Sequence, residues 1–452
     1  MNHKQIENSV LNKVTPTKNY RKKLEQNIKE LQQKIEREIQ KKDLPVEIEL
    51  VGSTAKDTYL QGNLDIDFFL KFPIDFSKEK IAENALSIGK KILTKTEESY
   101  AEHPYLRGYY KEYKTEIVPC YKIEKASQKL SAVDRTPLHT KYVKNNLSEK
   151  QKSEVRLLKQ FLKGIGCYGA EAEIEGFSGY LCEILIIKYS TFRQLIKNAI
   201  NWKNGEKIIL KTGKHPDFDT PLVFIDPVDN NRNVASALTK NKFNFFIEAC
   251  KNYQNKPQIT YFFPNPVKPW TKEQIKKQIQ KTEYKYLGIK TKKPDIIPEN
   301  LYPQIRKATR SIHDECKRND FKIKDATFHV NQKSIYIIIK TENKNLPEIK
   351  THTGPPIKLK KNTQEFIKKW ENNPLVKKGP YKQNNRLYVD IKRQYTNIEK
   401  FLKNEITKLS LGKHLDQIFT KKYEIQKNNE LLTEKLRVFW TQYLDGKNPW
   451  DR

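Results

Sequence analysis

The sequence of 452 residues predicts an α+β protein built from three parts. Strand patterns mix with helical patterns in the first part, helical patterns dominate the second, and strands return among helices in the third. We place these parts at residues 1–143, 144–256 and 257–452. The length suits two to four domains of ordinary size, and 37% hydrophobic residues can supply their cores.

The first part begins with a predicted amphipathic helix. Thr15 and Pro16 have the form of an N-cap followed by proline at the first helical position, and apolar residues then recur at helical spacing over 24–39. Two strands follow, VEIELVGS and DIDFFLKFP, which we expect to be neighbours in one sheet. A helix around 81–93 then leads to a further strand, KTEIVPCYKI.

The second part is predicted to be helical. Thr136 and Pro137 repeat the cap-and-proline pattern, and SEKQKSEVRLLKQFLKGIG predicts a helix that stops at Gly164 and Gly166. FSGYLCEILIIKYSTFRQLIKNA continues in the same style after a glycine-rich entry. This part therefore resembles a helical bundle more than a sheet.

The third part is predicted to be a small α+β module. The prolines of PQITYFFPNPVKPW mark a linker or loop. Beyond it, KSIYIIIKTE and NNRLYVDIKR have strand patterns, the second opening with an Asn-Asn turn. Helical stretches around 301–316 and 398–409 flank these strands.

Charge and composition restrict the classes of partner. The net charge of +32 predicts a polyanionic partner, nucleic acid first and an acidic membrane surface second. The alternative is a proteome-wide bias towards Lys, Asn and Ile, which would raise the charge without a functional reason. No run of eighteen apolar residues and no N-terminal signal core is present, so we expect a soluble protein with no membrane partner.

The cysteines give no sign of a disulfide framework or a zinc site. There are five, an odd number, and they are scattered without a C-x-x-C arrangement. We expect buried or idle thiols in a reducing cytoplasm.

Paired carboxylates follow a Gly-Ser turn in GSTAKDTYLQGNLDIDFFLKFP. With a period of two, Asp65 and Asp67 lie on the strand face opposite the apolar residues. Adjacent carboxylates on a rigid strand suit Mg²⁺, and Glu116 on a later strand could complete the ligand set. Gly52 would let the backbone approach a phosphate, to which Ser53 offers a hydroxyl and an amide. The alternative is a D-x-D on the wet face of a half-exposed strand.

A resemblance to a known family rests on segments that occur in family order from about residue 50 to 305. They are GSTAKDTYLQGNLDIDFFLKFP, AEHPY, EIVPCYK, SAVDRTPLHTKY, EVRLLKQFLK, YGAE, GFSGYLCE, DPVDNNRNVA and KPDIIPENLYPQ. The chain resembles the archaeal-type, class I CCA-adding enzymes, tRNA nucleotidyltransferases of the polymerase β-like superfamily. Beyond about residue 320 the resemblance is looser.

The resemblance implies a role for individual residues. Asp65 and Asp67 match the family's paired metal carboxylates, and Glu116 matches its third. Arg232 falls on the arginine that reads the incoming base. The family positions that contact the triphosphate are occupied here by Ser53, Lys56, Thr136, His139, Lys159 and Tyr168.

This chain departs from the family at three of these positions. Asp65 stands where the family commonly has Glu, Glu116 where it has Asp, and Lys56 where it has Arg. The two carboxylate exchanges keep the number of acids, whereas lysine loses the bidentate fork of arginine.

Each of the other candidates has an ordinary structural alternative. His139 could be a satisfied structural histidine, Lys159 a solvated helix lysine and Tyr168 a core residue. Asp226-Pro227 and Asp229-Asn230 are typical of turns, and GFSGY could be a tight helix entry rather than an RNA contact.

The resemblance also implies a fold and a reaction. We expect a polymerase β-like nucleotidyltransferase head, a helical middle domain and a C-terminal ferredoxin-like α+β region that binds RNA. The reaction would be addition of C, C and A to the tRNA 3′ end from CTP and ATP, with Mg²⁺ and without a nucleic-acid template. The tRNA acceptor stem and 3′ end are the expected partner, and a homodimer is left open.

Two other functions remain as alternatives to CCA addition. One is a poly(A) polymerase-like terminal nucleotidyltransferase on the same head, and the other is a non-catalytic RNA-binding protein. Three intact acids disfavour the second.

Overall fold

The computed structural model describes residues 2–100 and 102–452, so that Met1 and Ala101, the first residue of the AEHPY segment, lie outside the described residues. The chain forms two compact units. The N-terminal unit comprises Met1–Pro266 together with Lys447–Arg452, and the C-terminal unit comprises Val267–Gly446. The N-terminal unit contains both the first and the second predicted parts, and the three sets of boundaries stay a prediction.

The N-terminal unit has a sheet side and a helical side. The helices are α1 (His3–Val14), α2 (Lys18–Lys41), α3 (Gly52–Ala55), α4 (Lys78–Ile92), α5 (Arg135–Asn146), α6 (Glu149–Gly164), α7 (Gly179–Tyr189), α8 (Phe192–Ala199) and α9 (Lys240–Asn255). The strands are β1 (Glu47–Val51), β2 (Asp65–Phe72), β3 (Thr94–Tyr100), β4 (Pro104–Tyr110), β5 (Tyr113–Tyr121), β6 (Glu206–Ile208) and β7 (Leu222–Phe224). The sheet side consists of α2–α5 with β1–β5, and the helical side consists of α6–α9.

Both predicted cap-and-proline starts were wrong by a few residues. Thr15 is the C-cap of α1, and Pro16 follows it because proline cannot continue a helix. The next helix begins two residues later, where the Thr17 hydroxyl accepts a hydrogen bond from the Tyr20 amide at 3.2 Å. Helix α5 begins at Arg135, ahead of Thr136, because a 3₁₀ turn leads directly into it.

The sheet of the N-terminal unit has the strand order β1-β2-β5-β4-β3. Strands β1 and β2 are antiparallel neighbours, which confirms the prediction, and β2 and β5 are parallel with Asp67 opposite Glu116. Strands β3 and β4 were not predicted. The residues of β3 are exposed except for Ser99, so this edge strand has no alternating apolar pattern.

Strand β2 separates a core face from a polar face, as its period of two predicted. Ile66, Phe68 and Leu70 are buried in the core between the sheet and its helices. Asp65 and Asp67 lie on the other face, which is also partly apolar because Phe69 packs there in a small separate cluster. The paired carboxylates are therefore carried by a strand that is anchored on both faces.

The helical side packs around an aromatic core in which Phe161 contacts several other rings. Helix α6 ends at Gly164, as predicted. A Cβ at Gly164 would lie 2.1 Å from the Tyr261 carbonyl oxygen and 2.7 Å from that of Phe262. This glycine is required because another backbone segment lies against it.

The C-terminal unit contains α10 (Lys272–Gln280), β8 (Lys285–Lys292), α11 (Pro298–Arg318), β9 (Ile323–Val330), β10 (Ser334–Thr341), β11 (Ile349–Pro356), α12 (Lys360–Trp370), β12 (Val376–Gln383), β13 (Arg386–Lys392), α13 (Ile398–Glu405), α14 (Lys413–Lys421), β14 (Tyr423–Lys427) and α15 (Arg437–Asp445). Its larger sheet has the order β14-β8-β10-β9, with β8 and β9 both antiparallel to β10. This is the ferredoxin-like βαββαβ arrangement, which confirms the prediction.

A second, three-stranded sheet of order β11-β13-β12 with α12 is inserted between β10 and α13. The predicted Asn-Asn turn opens β13, and Asn384 and Asn385 both have positive φ, 48° and 59°. Two consecutive residues with positive φ are typical of a tight hairpin turn.

Two further predictions concern membranes and thiols. Among residues 2–100 and 102–452, no helix has the length and apolar content needed to cross a membrane. All five cysteines are buried, and burial raises the pKa of the Cys182 thiol to about 12.

We predict that Gly164→Ala lowers the free energy of unfolding of the N-terminal unit by about 3 kcal/mol, because the new methyl group would meet backbone atoms that cannot rotate away. Gly166→Ala is the matched control. Gly166 has a φ of +71° but open space around it, so the cost there should be only about 1 kcal/mol. Urea unfolding measures both, and equal costs would contradict the close approach at Gly164.

Candidate active site

The turn between β1 and β2 lies directly against the paired carboxylates. Gly52 has a φ of +72°, and a Cβ there would lie 2.1 Å from Oδ2 of Asp67. Val51 is paired with Asp67 across β1 and β2, and Glu116 is paired with it across β2 and β5. Glycine is therefore needed at position 52 for two reasons, its backbone conformation and the nearness of the carboxylate.

The three acids that the sequence singled out are held among cations of the same sheet. Arg107 Nε donates to Glu116 Oε1 at 2.8 Å, and Lys114 Nζ lies 3.4 Å from Asp65 Oδ2. Asp67 has neither partner. Burial, together with the charges of Glu116 and Asp65, raises the pKa of Asp67 to about 7.

These residues fit a divalent cation. Their oxygens are the hard donors that such ions prefer, and Asp67 is flanked by the charges of Asp65 and Glu116, which add to the effect of burial on its pKa. In the part of the chain that the structure describes, no three acidic, histidine or cysteine side chains already form a metal-binding cluster. Glu116 contacts Arg107 through one oxygen, and its role as third ligand stays a prediction.

A buried charge network joins the sheet side to the helical side. Lys56 Nζ lies 2.5 Å from Oε2 of Glu183, a residue of α7, and the Thr58 hydroxyl donates to Oε1 at 2.5 Å. Lys159 Nζ, from α6, donates to the carbonyl and hydroxyl oxygens of Thr58, both at 3.1 Å, and lies 3.4 Å from Glu183. Lys159 is thus buried, and the alternative of a solvated helix lysine was wrong.

Tyr168 and Lys159 both lie beside Gly179, the first residue of α7. A Cβ at Gly179 would lie 3.2 Å from the Tyr168 hydroxyl and 3.8 Å from Lys159 Nζ. The hydroxyl of Ser178 caps this helix by accepting from the Leu181 amide at 3.1 Å. The structure therefore brings Lys56, Lys159 and Tyr168 into one neighbourhood, although they come from distant parts of the chain.

Two other basic residues of α6, Arg156 and Lys163, have contacts different from those of Lys159. Arg156 is 2% exposed, and its guanidinium donates to the Tyr59 carbonyl at 3.0 Å and the Asp57 carboxylate at 2.7 Å. Lys163 instead donates to the Asn63 side chain. Arg156 is thus a structural link between α6 and the turn after α3.

Asp226 is the centre of a second buried cluster. His139 Nε2 and Arg232 Nη1 both donate to its Oδ2 at 2.8 Å, and the Tyr180 hydroxyl donates to Oδ1 at 3.1 Å. The His139 and Tyr180 rings stack at 4.0 Å. Although burial alone would raise the pKa of Asp226, these donors hold it at about 2.

Protonation states within this cluster follow from the same contacts. Burial outweighs the attraction of Asp226 and holds the pKa of His139 below its usual value. His139 is therefore neutral at pH 7, with the Nε2 proton directed at Asp226.

Asp229, three residues after Asp226, accepts hydrogen bonds from Lys129 at 2.8 Å and from Arg135 at 3.0 Å.

Two predicted triphosphate residues have only local hydrogen bonds. The Ser53 carbonyl accepts from the Thr58 amide at 3.0 Å, and the Thr136 carbonyl accepts from the Thr140 hydroxyl at 3.1 Å. Their contacts with a nucleotide stay predictions, as does the RNA contact of GFSGY.

Sequence reasoning missed Glu183 and undervalued Asp226. Glu183 is the one acid within the apolar stretch YLCEILII, and a lone charge in such a helix indicates a buried ion pair. Asp226 was attributed to turn chemistry, but it directly follows the buried strand β7 and an apolar residue. Tyr180 gave no signal beyond its place in GFSGY.

Three family models match successive parts of the chain. "Nucleotidyltransferase domain" matches residues 16–139, and "tRNA nucleotidyltransferase, second domain" matches residues 153–263. "CCA-adding enzyme, C-terminal domain" matches residues 284–428. Together with the sheet and its carboxylates, these matches define a nucleotidyltransferase, and nucleotidyltransferases of this kind use divalent metal ions.

Curated relatives match along nearly the whole chain. The CCA-adding enzyme of Methanosarcina barkeri is 34% identical over 93% of this chain and 93% of its own. Those of Archaeoglobus fulgidus and Thermoplasma acidophilum are 34% and 35% identical, covering 87% and 93% of this chain and 89% and 94% of theirs. The chain belongs to the CCA-adding enzyme family.

Among solved structures, the Cid1 poly(U) polymerase with bound MgGTP superposes with a TM-score of 0.45 at 13% identity, covering 57% of this chain and 98% of that one. A superposition at this level adds no argument about function.

We predict that Asp226→Asn destabilises the N-terminal unit in a pH-dependent way. The folded pKa of about 2 lies below the ordinary 3.8, so ionised Asp226 stabilises the fold by about 2 kcal/mol at neutral pH. This contribution is complete above about pH 5 and is lost as the pH falls towards 2.

Urea midpoints of the wild type and Asp226→Asn should therefore differ at pH 7, keep most of that difference at about pH 3.5, and converge as the pH falls towards 2. Asp217→Asn is the matched control, since the Asp217 side chain is fully exposed in the same region and should show no such convergence. A difference between wild type and Asp226→Asn that does not change with pH would contradict the cluster described above.

Proposed function

We propose that this chain adds C, C and A to the 3′ end of tRNA, using two CTP molecules and then one ATP. The observation that carries the proposal is the end-to-end match to CCA-adding enzymes, with the predicted carboxylates together on one sheet face. In each step the tRNA 3′-hydroxyl oxygen bonds to the α-phosphorus, the bond to the β-phosphate breaks, and pyrophosphate leaves.

The proposed role of the carboxylates is to bind metal ions. Asp65 and Asp67 would hold divalent ions, for which Mg²⁺ is our specific proposal, with Glu116 contributing the oxygen that Arg107 does not contact. Bound ions supply charge neutralisation at the attacking hydroxyl and at the departing pyrophosphate. The strand pairing of β2 with β1 and β5 fixes the direction in which the carboxylates point.

The triphosphate would bind to cations from both sides of the N-terminal unit. Lys56 and Lys159 offer ammonium groups near Tyr168, and His139 is neutral and has Nδ1 available as a hydrogen-bonding group. A phosphate group bound there would replace water with charge-assisted hydrogen bonds. Gly52, Ser53 and Thr136 are proposed to complete this binding site.

Arg232 is proposed to recognise the incoming base. Its side chain is 30% exposed, and one nitrogen is held by Asp226, so the planar guanidinium is oriented while other N–H groups stay available. Arginine can donate two parallel hydrogen bonds to a base edge.

The C-terminal unit is proposed to bind the tRNA. Its ferredoxin-like sheet and the inserted three-stranded sheet carry many exposed lysines, and the whole chain has a net charge of +32. Phosphate contacts of this kind give affinity that falls steeply with salt. Binding of the acceptor stem and a cytoplasmic location are parts of this proposal.

The deciding experiment is a product-length assay. Purified protein, Mg²⁺, CTP and ATP are incubated with a tRNA that lacks its 3′ CCA, and the products are sequenced. We expect extension by C, C and A followed by a stop. A long homopolymer would favour a poly(A) polymerase-like enzyme, and absence of any extension would favour a non-catalytic RNA-binding protein.

In this assay Asp67→Ala should lower the rate by about a thousandfold or more, because it removes a metal ligand, and should leave tRNA affinity unchanged. Asp75→Ala is the matched control, since Asp75 is an exposed acid shortly after the same strand and should behave as wild type. Near-normal turnover by Asp67→Ala would contradict the proposed ion site.

A separate prediction concerns Arg232→Ala. It should reduce discrimination of CTP over UTP by about tenfold, because hydrogen bonds to a base edge contribute about 1–3 kcal/mol. Arg232→Lys keeps the charge beside Asp226 without the planar fork and should lose discrimination as well. The measurement is the ratio of kcat/KM values for the two nucleotides, and an unchanged ratio in both variants would remove Arg232 from this role.

A further inference from the structure

Glu183 lies where an unpaired charge would be very costly. It is 1% exposed in the middle of helix α7, and its neighbours along the helix, Cys182 and Ile184, are fully buried. A carboxylate in such surroundings must be paired with cations and hydrogen-bond donors if it is to stay ionised. The attraction of Lys56 and Lys159 outweighs the effect of burial and holds its pKa below the usual value.

Both oxygens of Glu183 have partners, and together they contact two segments of the chain, residues 56–58 and helix α6. Oε2 holds the ammonium of Lys56 at 2.5 Å, and Oε1 accepts from Thr58 at 2.5 Å and lies 3.4 Å from Lys159. Thr58 in turn gives Lys159 two further acceptors at 3.1 Å. The positions of both ammonium groups are thus fixed relative to one carboxylate.

This network has two lysine side chains and one acid, and burial holds the pKa of Lys159 below its usual value. One carboxylate faces two ammonium groups, whereas a purely structural buried pair needs only one of each. In the described residues, Glu183 is the only hydrogen-bond partner of the Lys56 ammonium, which leaves two of its three N–H groups available. The positive charge of Lys56 also lowers the pKa values of Asp67 and His139. For Asp67 this effect is smaller than that of burial and the neighbouring acids, which raise its pKa overall.

We propose that Glu183 is a positioning residue for the triphosphate of the incoming nucleotide. It holds Lys56 and Lys159, which come from the sheet side and the helical side, and so fixes both side chains around one carboxylate, with Lys159 Nζ beside Gly179, next to the Tyr168 hydroxyl. Glu183 does not itself touch the nucleotide, because it is enclosed by these groups. This inference rests on the proposed function, in which Lys56 and Lys159 contact the triphosphate.

Lysine and arginine at position 56 would contact Glu183 in different ways. Lysine reaches Glu183 with a single ammonium that can be shared with a phosphate oxygen, because its donors radiate from one atom. Arginine presents its donors as a planar fork and would bind the carboxylate and the phosphate through different nitrogens.

The test uses the full chain and measures the Kd for CTP by calorimetry in the presence of Mg²⁺. Glu183→Gln keeps the size of the side chain and removes its charge, so we expect the Kd for CTP to rise about tenfold or more while the Kd for tRNA changes less than twofold. Unchanged CTP affinity in a folded Glu183→Gln variant would overturn the proposal.

A double-substitution cycle separates positioning from general structural damage. If Glu183 acts through the ammonium groups, adding Glu183→Gln to Lys56→Met should raise the Kd for CTP by at most threefold more. Fully multiplicative effects of the two substitutions would overturn the proposal.

Glu7→Gln is the matched control for the loss of a buried acid. Glu7 is 9% exposed and pairs with Arg193 at 2.9 Å in the same unit, so its variant should bind CTP within twofold of wild type. A loss of CTP affinity in Glu7→Gln as large as that in Glu183→Gln would overturn the proposal.

Thr58→Val covers the case in which Glu183→Gln does not fold. It removes the hydroxyl that bonds both Glu183 and Lys159 and should weaken CTP binding about threefold or more, whereas wild-type affinity would overturn the proposal. A wild-type chain that binds CTP but extends no tRNA would contradict the proposed function and leave CTP binding as the test of Glu183.

Discussion

A charged group inside a protein must be paired, and two buried carboxylates of the N-terminal unit satisfy this constraint for several partners at once. Glu183 holds Lys56 and Lys159, and Asp226 holds His139 and Arg232. Both carboxylates are buried, so that losing a partner would leave a charge in surroundings that penalise it. The side chains proposed to bind the nucleotide are therefore fixed before it arrives, which reduces the entropy lost on binding.

The sheet imposes a complementary constraint on the acids. Parallel pairing of β2 with β5 sets Glu116 opposite Asp67, and antiparallel pairing with β1 places Gly52 against the same carboxylate. The position of Asp65 follows from the period of two in the strand. Arg107 and Lys114 contact the outer acids, whereas burial and the charges of Glu116 and Asp65 raise the pKa of Asp67, and the three sets of carboxylate oxygens are donors that suit a divalent cation.

Much of the fold could be predicted from periodicity alone. The amphipathic helices, the β1–β2 pair and the Asn-Asn hairpin have strong local signals, and the structure has each of them. Helix starts were less accurate, because a Thr-Pro pair looks the same before a helix as after one, as at Thr15 and Pro16. The edge strand β3 was missed because nearly all its side chains are exposed and give no pattern.

The site was only partly predictable for a different reason. Candidate residues such as Asp67 and Arg232 were named from motifs, but pairings over a hundred residues or more, such as Lys56 with Glu183, have no local signal. A lone acid in an apolar helix indicates that a partner exists and does not say which one. The buried state of Lys159 was likewise decided by tertiary packing, since its helical stripe fits a solvated face equally well.

We propose that one triphosphate site is shared by the sheet side and the helical side of the N-terminal unit. Hydrogen exchange of the full chain with and without CTP and Mg²⁺ tests this claim most directly, because it reports on each backbone segment separately. The account predicts slower exchange in two segments, residues 51–58 around α3 and residues 176–183 at the start of α7. Slower exchange in only one of these segments, or in neither, would contradict a shared site.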